Sequence, residues 1–300
     1  MNIYMFIEAE KVEVRNVSRT CALLSVSRSA YCEWRRHIPS AHLRADTELS
    51  ERISEIHRRS RGTYGAPRVA AELRRDGIGV SRKRVARLMA QQELAGRTRR
   101  RSKQTTIADP TATLTPLDRL CRNFAPGGHE LDSVYVGDIT YVRTHEGWLY
   151  LATAIDLASR RVVGFAMADH MRASLVCDAL RMAIELRCPG AGLTFHSDRG
   201  SQYTSREFRA LLDEHGLVQS LSRPRQCWDN AVAESFFSTL KQELVYRLTL
   251  ATRAQARAAS FEFIEIHYNR ARLHSSLNYR TPAEYEAERR ASEGATSQAA

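Results

Sequence analysis

Three runs of β-branched and aromatic residues constrain this chain most. "SVYVGDITYV" (133–142), "WLYLATAID" (148–156) and "RRVVGFAMA" (160–168) follow one another, joined only by "RTHEG" and "LAS". Connectors this short close antiparallel hairpins, whereas a parallel crossover needs about a dozen residues or more. The texture then changes. "RASLVCDALRMAIELR" (172–187) has helical periodicity, "LTFHSD" (193–198) reads as a buried strand, "SREFRALLDEHG" (205–216) as a helix closed by Gly216, and "LVQSLS" (217–222) as a last strand. Hairpin-linked strands followed by helix–strand alternation predict an α/β fold, a five-stranded mixed sheet flanked by helices.

The first third has another character. Residues 1–110 hold 23 Lys and Arg against 12 Asp and Glu, while residues 111–300 hold 22 against 22, so the whole net charge of +11 lies in the first part. Such asymmetry suits a polyanion-binding module joined to a neutral body. "VSRTCALLSVSRSAYCEWRRH" outlines a helix-turn-helix with Ser18 as its first N-cap and a break near Ser25 to Ser27. "RGTYGAPRVAAELRRDGIGVSRKRVARLMAQQEL" outlines a second, with Gly77 as a stop and Ser81 as the next cap. Val85, Leu88 and Met89 would face a core, leaving Arg82, Lys83, Arg84 and Arg87 for phosphate contact. The alternative is a solvated hairpin that only packs. Residues 97–116, polar and starting strongly basic, read as a linker. The expected division is a basic all-α region over 1–110, a linker over 111–124, a catalytic core over 125–247 and a helical extension with a frayed tail over 248–300.

Other classes recede. No apolar run approaches the roughly 18 residues of a membrane span, and "MNIYMFIEAEKVEV" lacks the pattern of a secretion signal. A cytoplasmic, nucleoid-associated protein is expected. Six cysteines without a C-x-x-C pair argue for reduced thiols rather than disulfides or zinc.

Three acidic residues carry the chemistry. Asp138 sits inside the first strand, where a carboxylate is unfavourable without a compensating partner. Asp198 ends the fourth strand, at the edge where open α/β sheets place ligands. Glu234 follows 36 positions later in the helix after the fifth strand, on the border of a stripe of Ala233, Phe236, Phe237, Leu240 and Leu244, almost in register with Lys241. Each has an ordinary alternative: a hydrogen-bonded core acid, a turn residue, an acid favoured by the helix dipole. Together they supply the hard oxygen ligands of a two-ion site for phosphoryl transfer.

Asp138, Asp198 and Glu234 resemble the DDE triad of retroviral-type integrases and transposases. "YVGDITYV", "FHSDRGSQYTS", "CWDNAVAESFFSTLKQE" and "YNRARLHSSLNYRTPAEY" resemble, in order, blocks of the long second-frame (OrfB-type) transposases of bacterial insertion-sequence family three. The resemblance spans about residues 8–288. It implies a ribonuclease-H-like core that binds two Mg²⁺ or Mn²⁺ through the triad, cuts element ends and joins the freed 3′-hydroxyl to another phosphodiester. It also implies that Lys241 touches DNA near the cleaved end, that Arg199, Gln202 and Tyr203 flank the metals or hold the strand, and that an upstream-frame protein or fusion supplies end recognition to a homo-oligomer on DNA. Tyr135 stands where the family often has tryptophan, and Arg225 and Gln226 where its loop often has glycine. Asp229 and Asn230 read as helix caps, and Trp228 as a wedge beneath the helix or a base-stacking residue. Asp156, also at a strand end, reads as a turn residue. A DNA-binding regulator without catalysis and a metal-dependent nuclease without strand transfer are the alternative functions.

Overall fold

The computed structural model describes residues 3–12, 16–36, 40–97, 118–223 and 230–298. The chain forms two compact units, Met1–Gly96 and Arg97–Ala300.

The first unit is helical: α1 (Ile3–Val12), α2 (Val17–Leu23), α3 (Arg28–Arg35), α4 (Ala41–Arg59), α5 (Ala66–Arg75) and α6 (Arg82–Gln91). Polar caps set its boundaries. The cap of α2 is Asn16, whose side chain accepts from the Ser18 amide, rather than Ser18 itself. Ser27, Ser40 and Ser81 cap α3, α4 and α6. Gly77 adopts a φ of +79° between α5 and α6, a left-handed conformation that glycine takes without penalty. The 19-residue α4 has no counterpart among the sequence expectations. It buries Leu49, Ile53 and Ile56 against the hairpin of α5 and α6, so the second helix-turn-helix is trihelical.

In the second unit, β1 (Val134–Thr144), β2 (Gly147–Asp156), β3 (Val162–Ala168), β4 (Thr194–Ser197) and β5 (Val218–Leu221) form one sheet in the order β3-β2-β1-β4-β5. The β1–β2 and β2–β3 pairs are antiparallel, and β1–β4 and β4–β5 parallel. This is the mixed ribonuclease-H-like sheet. Tyr135, Ala152 and Phe195 face α7 (Ala173–Arg187) and α8 (Arg206–Glu214) in one core. Val136, Leu151 and Ile155 face α9 (Ala231–Glu243) in the other. Gly137 is required by a close approach, because a Cβ there would lie 2.3 Å from the Phe195 ring.

The C-terminal segment is part of this body rather than an extension of it. After α10 (Arg253–Glu262) the helix widens to π geometry over Phe263–Ala271, and Phe263, Ile264 and Tyr268 join the α9 core. The final helix, α11 (Pro282–Gln298), continues through much of the expected frayed tail. The linker too ends early, since Leu120 is buried in the same core and the Arg119 amide donates to Ser220 Oγ at 3.0 Å.

The outer edge of the sheet is occupied. Asn269 donates to the Val162 carbonyl and accepts from its amide, both at 3.0 Å. The Phe165 amide meets Met182 Sδ at 3.3 Å, and Arg257 donates to the Met167 carbonyl. No helix among the described residues is long and apolar enough to cross a membrane.

Candidate active site

The parallel ladder between β1 and β4 ends at the pair Val136–His196. Two residues further along both chains come Asp138 and Asp198. Neighbouring strands are about 4.8 Å apart, so the ladder delivers the two carboxylates at one level on adjacent chains. Asp138 is half-buried and its Oδ1 accepts from the Ile139 amide at 2.8 Å. Asp198 is exposed where β4 ends, with Oδ1 accepting from the Gly200 amide at 2.9 Å.

Glu234 arrives by another route. Asn230 precedes α9 and is buried, but its side chain makes no capping bond. Its amide nitrogen donates instead to the Gly137 carbonyl at 2.9 Å, which fixes the start of α9 beside Asp138. One helical turn later comes Glu234. Phe236, Phe237, Leu240 and Leu244 are nearly inaccessible beneath it, and each buried side chain of this size contributes about 1.5–3 kcal/mol. The cap role expected of Asn230 is thus replaced by a tether to the strand. Asp229, Trp228, Arg225 and Gln226 lie outside the described residues.

A cleft of about 440 Å³ opens between β1 and α9, lined by Asp138, Thr140, Tyr141, Glu234, Lys241 and Gln242 among others. Burial pushes the Asp138 carboxyl up to about 7, and the charges of Asp198 and Glu234 push the same way; the Ile139 amide and Lys241 oppose them. Burial also lowers the Lys241 ammonium, against the pull of Asp138. Lys241 Nζ stands 4.8 Å from the centre of the Tyr141 ring.

The donor chemistry of this cluster suits divalent cations, with hard carboxylate oxygens, mutual repulsion and a buried member. As the side chains stand, no three His, Cys, Asp or Glu among the described residues converge on a common point. The backbone amides of Ile139 and Gly200 each hold one oxygen of Asp138 and Asp198, leaving the second oxygen of each for another ligand.

Tyr203 corrects an expectation. It is enclosed between Phe195 and Phe208, at ring-centre distances of 6.0 and 5.4 Å, and cannot hold a DNA strand at the surface. Its buried hydroxyl meets no hydrogen-bond partner among the described residues. Burial raises its pKa well above the ordinary value, with Asp138 and Asp198 adding to the rise, so it stays protonated beneath the two acids. Arg199 donates to the Ser222 carbonyl at 2.8 Å and Gln202 to the Met171 carbonyl at 2.9 Å, so both brace the loops around Asp198.

In the helical unit Arg82 and Lys83 are exposed at the start of α6. Arg84 and Arg87 are instead drawn to Asp46 of α4, with nitrogen–oxygen distances of 2.7 and 2.6 Å. Their hydrogen bonds, that of Arg87 foremost, hold the Asp46 carboxyl below its usual range against the effect of burial. These two arginines tie α6 to α4, a role that their positions on the α6 face did not disclose. Asp156 is a turn residue as read, accepting from the Asp132 and Ser159 amides at 3.1 and 2.8 Å. His196 is enclosed between Ser220 and Ser222.

Known proteins match this organisation. Residues 44–102 fit the model of an HTH-like domain, and residues 128–227 and 215–282 fit two models of an integrase core domain. The chain is 40% identical over 265 residues to an insertion element IS600 uncharacterized 31 kDa protein of Shigella sonnei, covering 88% of this chain and 96% of that one. It is 37% identical over 287 residues to the transposase InsF for insertion sequence IS3A of Escherichia coli (strain K12), covering 94% and 98%. The chain belongs to the IS3 family of insertion-sequence transposases. A 37% identity over 244 residues to the transposase for insertion sequence element IS904 of Lactococcus lactis agrees, covering 79% of this chain and 93% of that one. As an IS3-family transposase with an integrase core, the protein is a polynucleotidyl transferase. Among solved structures it is similar to the HTLV-2 integrase catalytic core domain in complex with magnesium, at 16% identity and a TM-score of 0.40, covering 51% of this chain and 95% of that one. It is also similar to the BIV integrase catalytic core, at 18% identity and a TM-score of 0.42, covering 54% and 98%.

Proposed function

We propose that Asp138, Asp198 and Glu234 are the catalytic triad of this transposase, and that together they hold two divalent ions, Mg²⁺ or Mn²⁺, at a scissile phosphodiester. The observation that carries this reading is the position of Asp138 and Asp198, each two residues beyond the last pair of one parallel ladder, with α9 tethered to the residue before Asp138. Bound there, such ions supply activation of the attacking hydroxyl and charge neutralisation at the leaving oxygen. In the first step a water oxygen bonds to phosphorus and the bond from phosphorus to the 3′-oxygen breaks, freeing a 3′-hydroxyl. In the second that hydroxyl bonds to a target phosphorus while the target's own P–O bond breaks. No oxidant or external energy source is needed.

The chain's own residues orient the reactants. Lys241 holds a phosphate of the cut end at the rim of the cleft, and Arg199 and Gln202 keep the loop after Asp198 in place. Tyr203, whose buried hydroxyl is held in its protonated form, is a donor that would be available to the acids if their side chains turned to hold ions. Arg82 and Lys83 hold phosphates along a second stretch of DNA. The upstream-frame protein or fusion supplies end choice, and assembly of several copies on paired ends places the protein on DNA in the cytoplasm, within the nucleoid.

The test incubates the chain, alone and fused to its upstream frame, with labelled element-end DNA and Mg²⁺, and repeats the assay with Glu234→Gln. Wild type should yield cut and joined products, and the variant, which keeps shape but loses the charge, should lose activity by on the order of 10³-fold. Cutting without joining would instead mark a nuclease. Unaltered activity in the variant would take Glu234 out of the chemistry.

A further inference from the structure

A second groove, of about 560 Å³, runs on from the carboxylate cleft, and Tyr141, Lys241 and Tyr246 line both. Its wall is the end of the β1–β2 hairpin. Three aromatic side chains stand in the open there: Tyr141 is 53% exposed, Trp148 44% and Tyr246 68%. Tyr141 and Trp148 meet edge to face at 4.9 Å, which braces each ring while leaving a face uncovered. Arg143, His145 and Lys241 also line the groove, and none of the described residues that line it is acidic. Arg143 is directly opposite Trp148 in the β1–β2 register.

The sheet's own chemistry does not call for this arrangement. Val142 and Leu149 of the same hairpin are fully buried against Leu250 and Ala256, so the hairpin has its core without these rings. Exposed aromatic faces next to cations and free of carboxylates match one ligand class closely: nucleotides whose bases have left the stack. The interior of a paired duplex cannot use them, because its base faces are already covered, and an end pair offers only its one outer face. The volume lies in the range of about 300–1,000 Å³ that encloses compact ligands.

We propose that the groove is a subsite for an unpaired nucleotide of the DNA strand that passes the carboxylate cleft, its base stacked on Trp148 and Tyr141 and its phosphate held by Arg143 and Lys241. This rests on the reading of the cleft as a DNA-processing site and adds to it a selectivity: the protein binds DNA that is open beside the scissile bond in preference to fully paired DNA. Stacking of one base on an aromatic side chain corresponds to a preference on the order of tenfold.

The test uses the full chain and two fluorescent duplexes of one sequence, one paired throughout and one with two mismatched pairs at the end. Polarisation titrations at fixed salt compare wild type, Trp148→Ala and Trp148→Phe, while sedimentation follows their assembly. Wild type should bind the open end about tenfold more tightly, Trp148→Ala should bind both alike, and Trp148→Phe should keep most of the preference. Equal binding of both duplexes by wild type, or an undiminished preference in Trp148→Ala, overturns the proposal. So does a change of assembly state in Trp148→Ala with the preference intact, which would make the groove a contact between copies. Cutting is assayed in parallel with Glu234→Gln, so a cutting wild type without open-end preference removes only the groove. A preference for open ends without Glu234-dependent cutting removes only the assignment of the triad.

Discussion

The two ends of α9 handle negative charge in opposite ways. At its start Glu234 joins Asp138 and Asp198, and burial together with two like charges pushes the Asp138 carboxyl up to about 7. At its end Glu243 is more deeply enclosed, yet its carboxyl is held down to about 2. Burial there would raise it, but the hydrogen bonds of His267 and Arg272 and the Arg272 charge outweigh burial. Arg272 reaches both carboxylate oxygens, at 2.8 and 2.9 Å, and His267 adds a contact at 3.3 Å. The comparison teaches how to tell a structural acid from a chemical one. Burial alone does not separate them, since both groups are desolvated. The difference is whether the fold supplies the compensating cation from within or leaves the acids to face each other.

Replacing Arg272 is the strongest way to break the contrast. Arg272→Met leaves Glu243 buried and short of its main partner, and loss of one member of such a pair costs about 3–5 kcal/mol. Urea unfolding should show this as a lower midpoint with the same slope. Acid titration sharpens the contrast next. Glu243 has a folded pKa of about 2 against an ordinary 4.5, so its contribution is complete above about pH 4.5 and is lost as pH falls toward 2. On the linkage relation that is on the order of 3 kcal/mol. Thermal melts between pH 2 and 5 should show a steep limb in the wild type and a flatter one in Glu243→Gln. The smallest expected effect has the opposite sign. Asp138→Asn removes one of three mutually repelling charges, so in a chelator it should raise stability by about 1 kcal/mol or less while abolishing strand cutting. A destabilised Asp138→Asn would place Asp138 among the structural acids.

The strands were legible because β-branched runs and short connectors leave few other arrangements, and β1 to β5 fall where the sequence puts them. The acids were legible as residue types in odd places, and as one group through the resemblance to the triad; what the sequence could not supply is the β1–β4 register and the Asn230–Gly137 bond, both long-range, that bring their chain positions near one another. Tyr203 shows the limit from the other side. In a polar loop sequence it reads as a surface residue, and only the packing of Phe195 and Phe208 around it reveals that it is interior. The helix α4 did carry signals, with Ser40 as a cap and Leu49, Ile53 and Ile56 spaced at three and four, but its charged remainder masks them. The π-helical stretch over Phe263–Ala271 is not readable from a 3.6-residue period, because widening the helix shifts which side chains face inward.

The edge bonds along β3 bear on what can add to the sheet. An outermost strand with open amides and carbonyls invites a foreign strand to pair with it. Here Asn269 takes both groups of Val162, Met182 meets the Phe165 amide and Arg257 takes the Met167 carbonyl. That flank has little left to offer an incoming backbone, so β3 is a poor template for continuing this sheet into a foreign strand. Whatever docks on that side of the sheet must do so through side chains, which leaves the fold closed to the runaway strand addition that open edges permit.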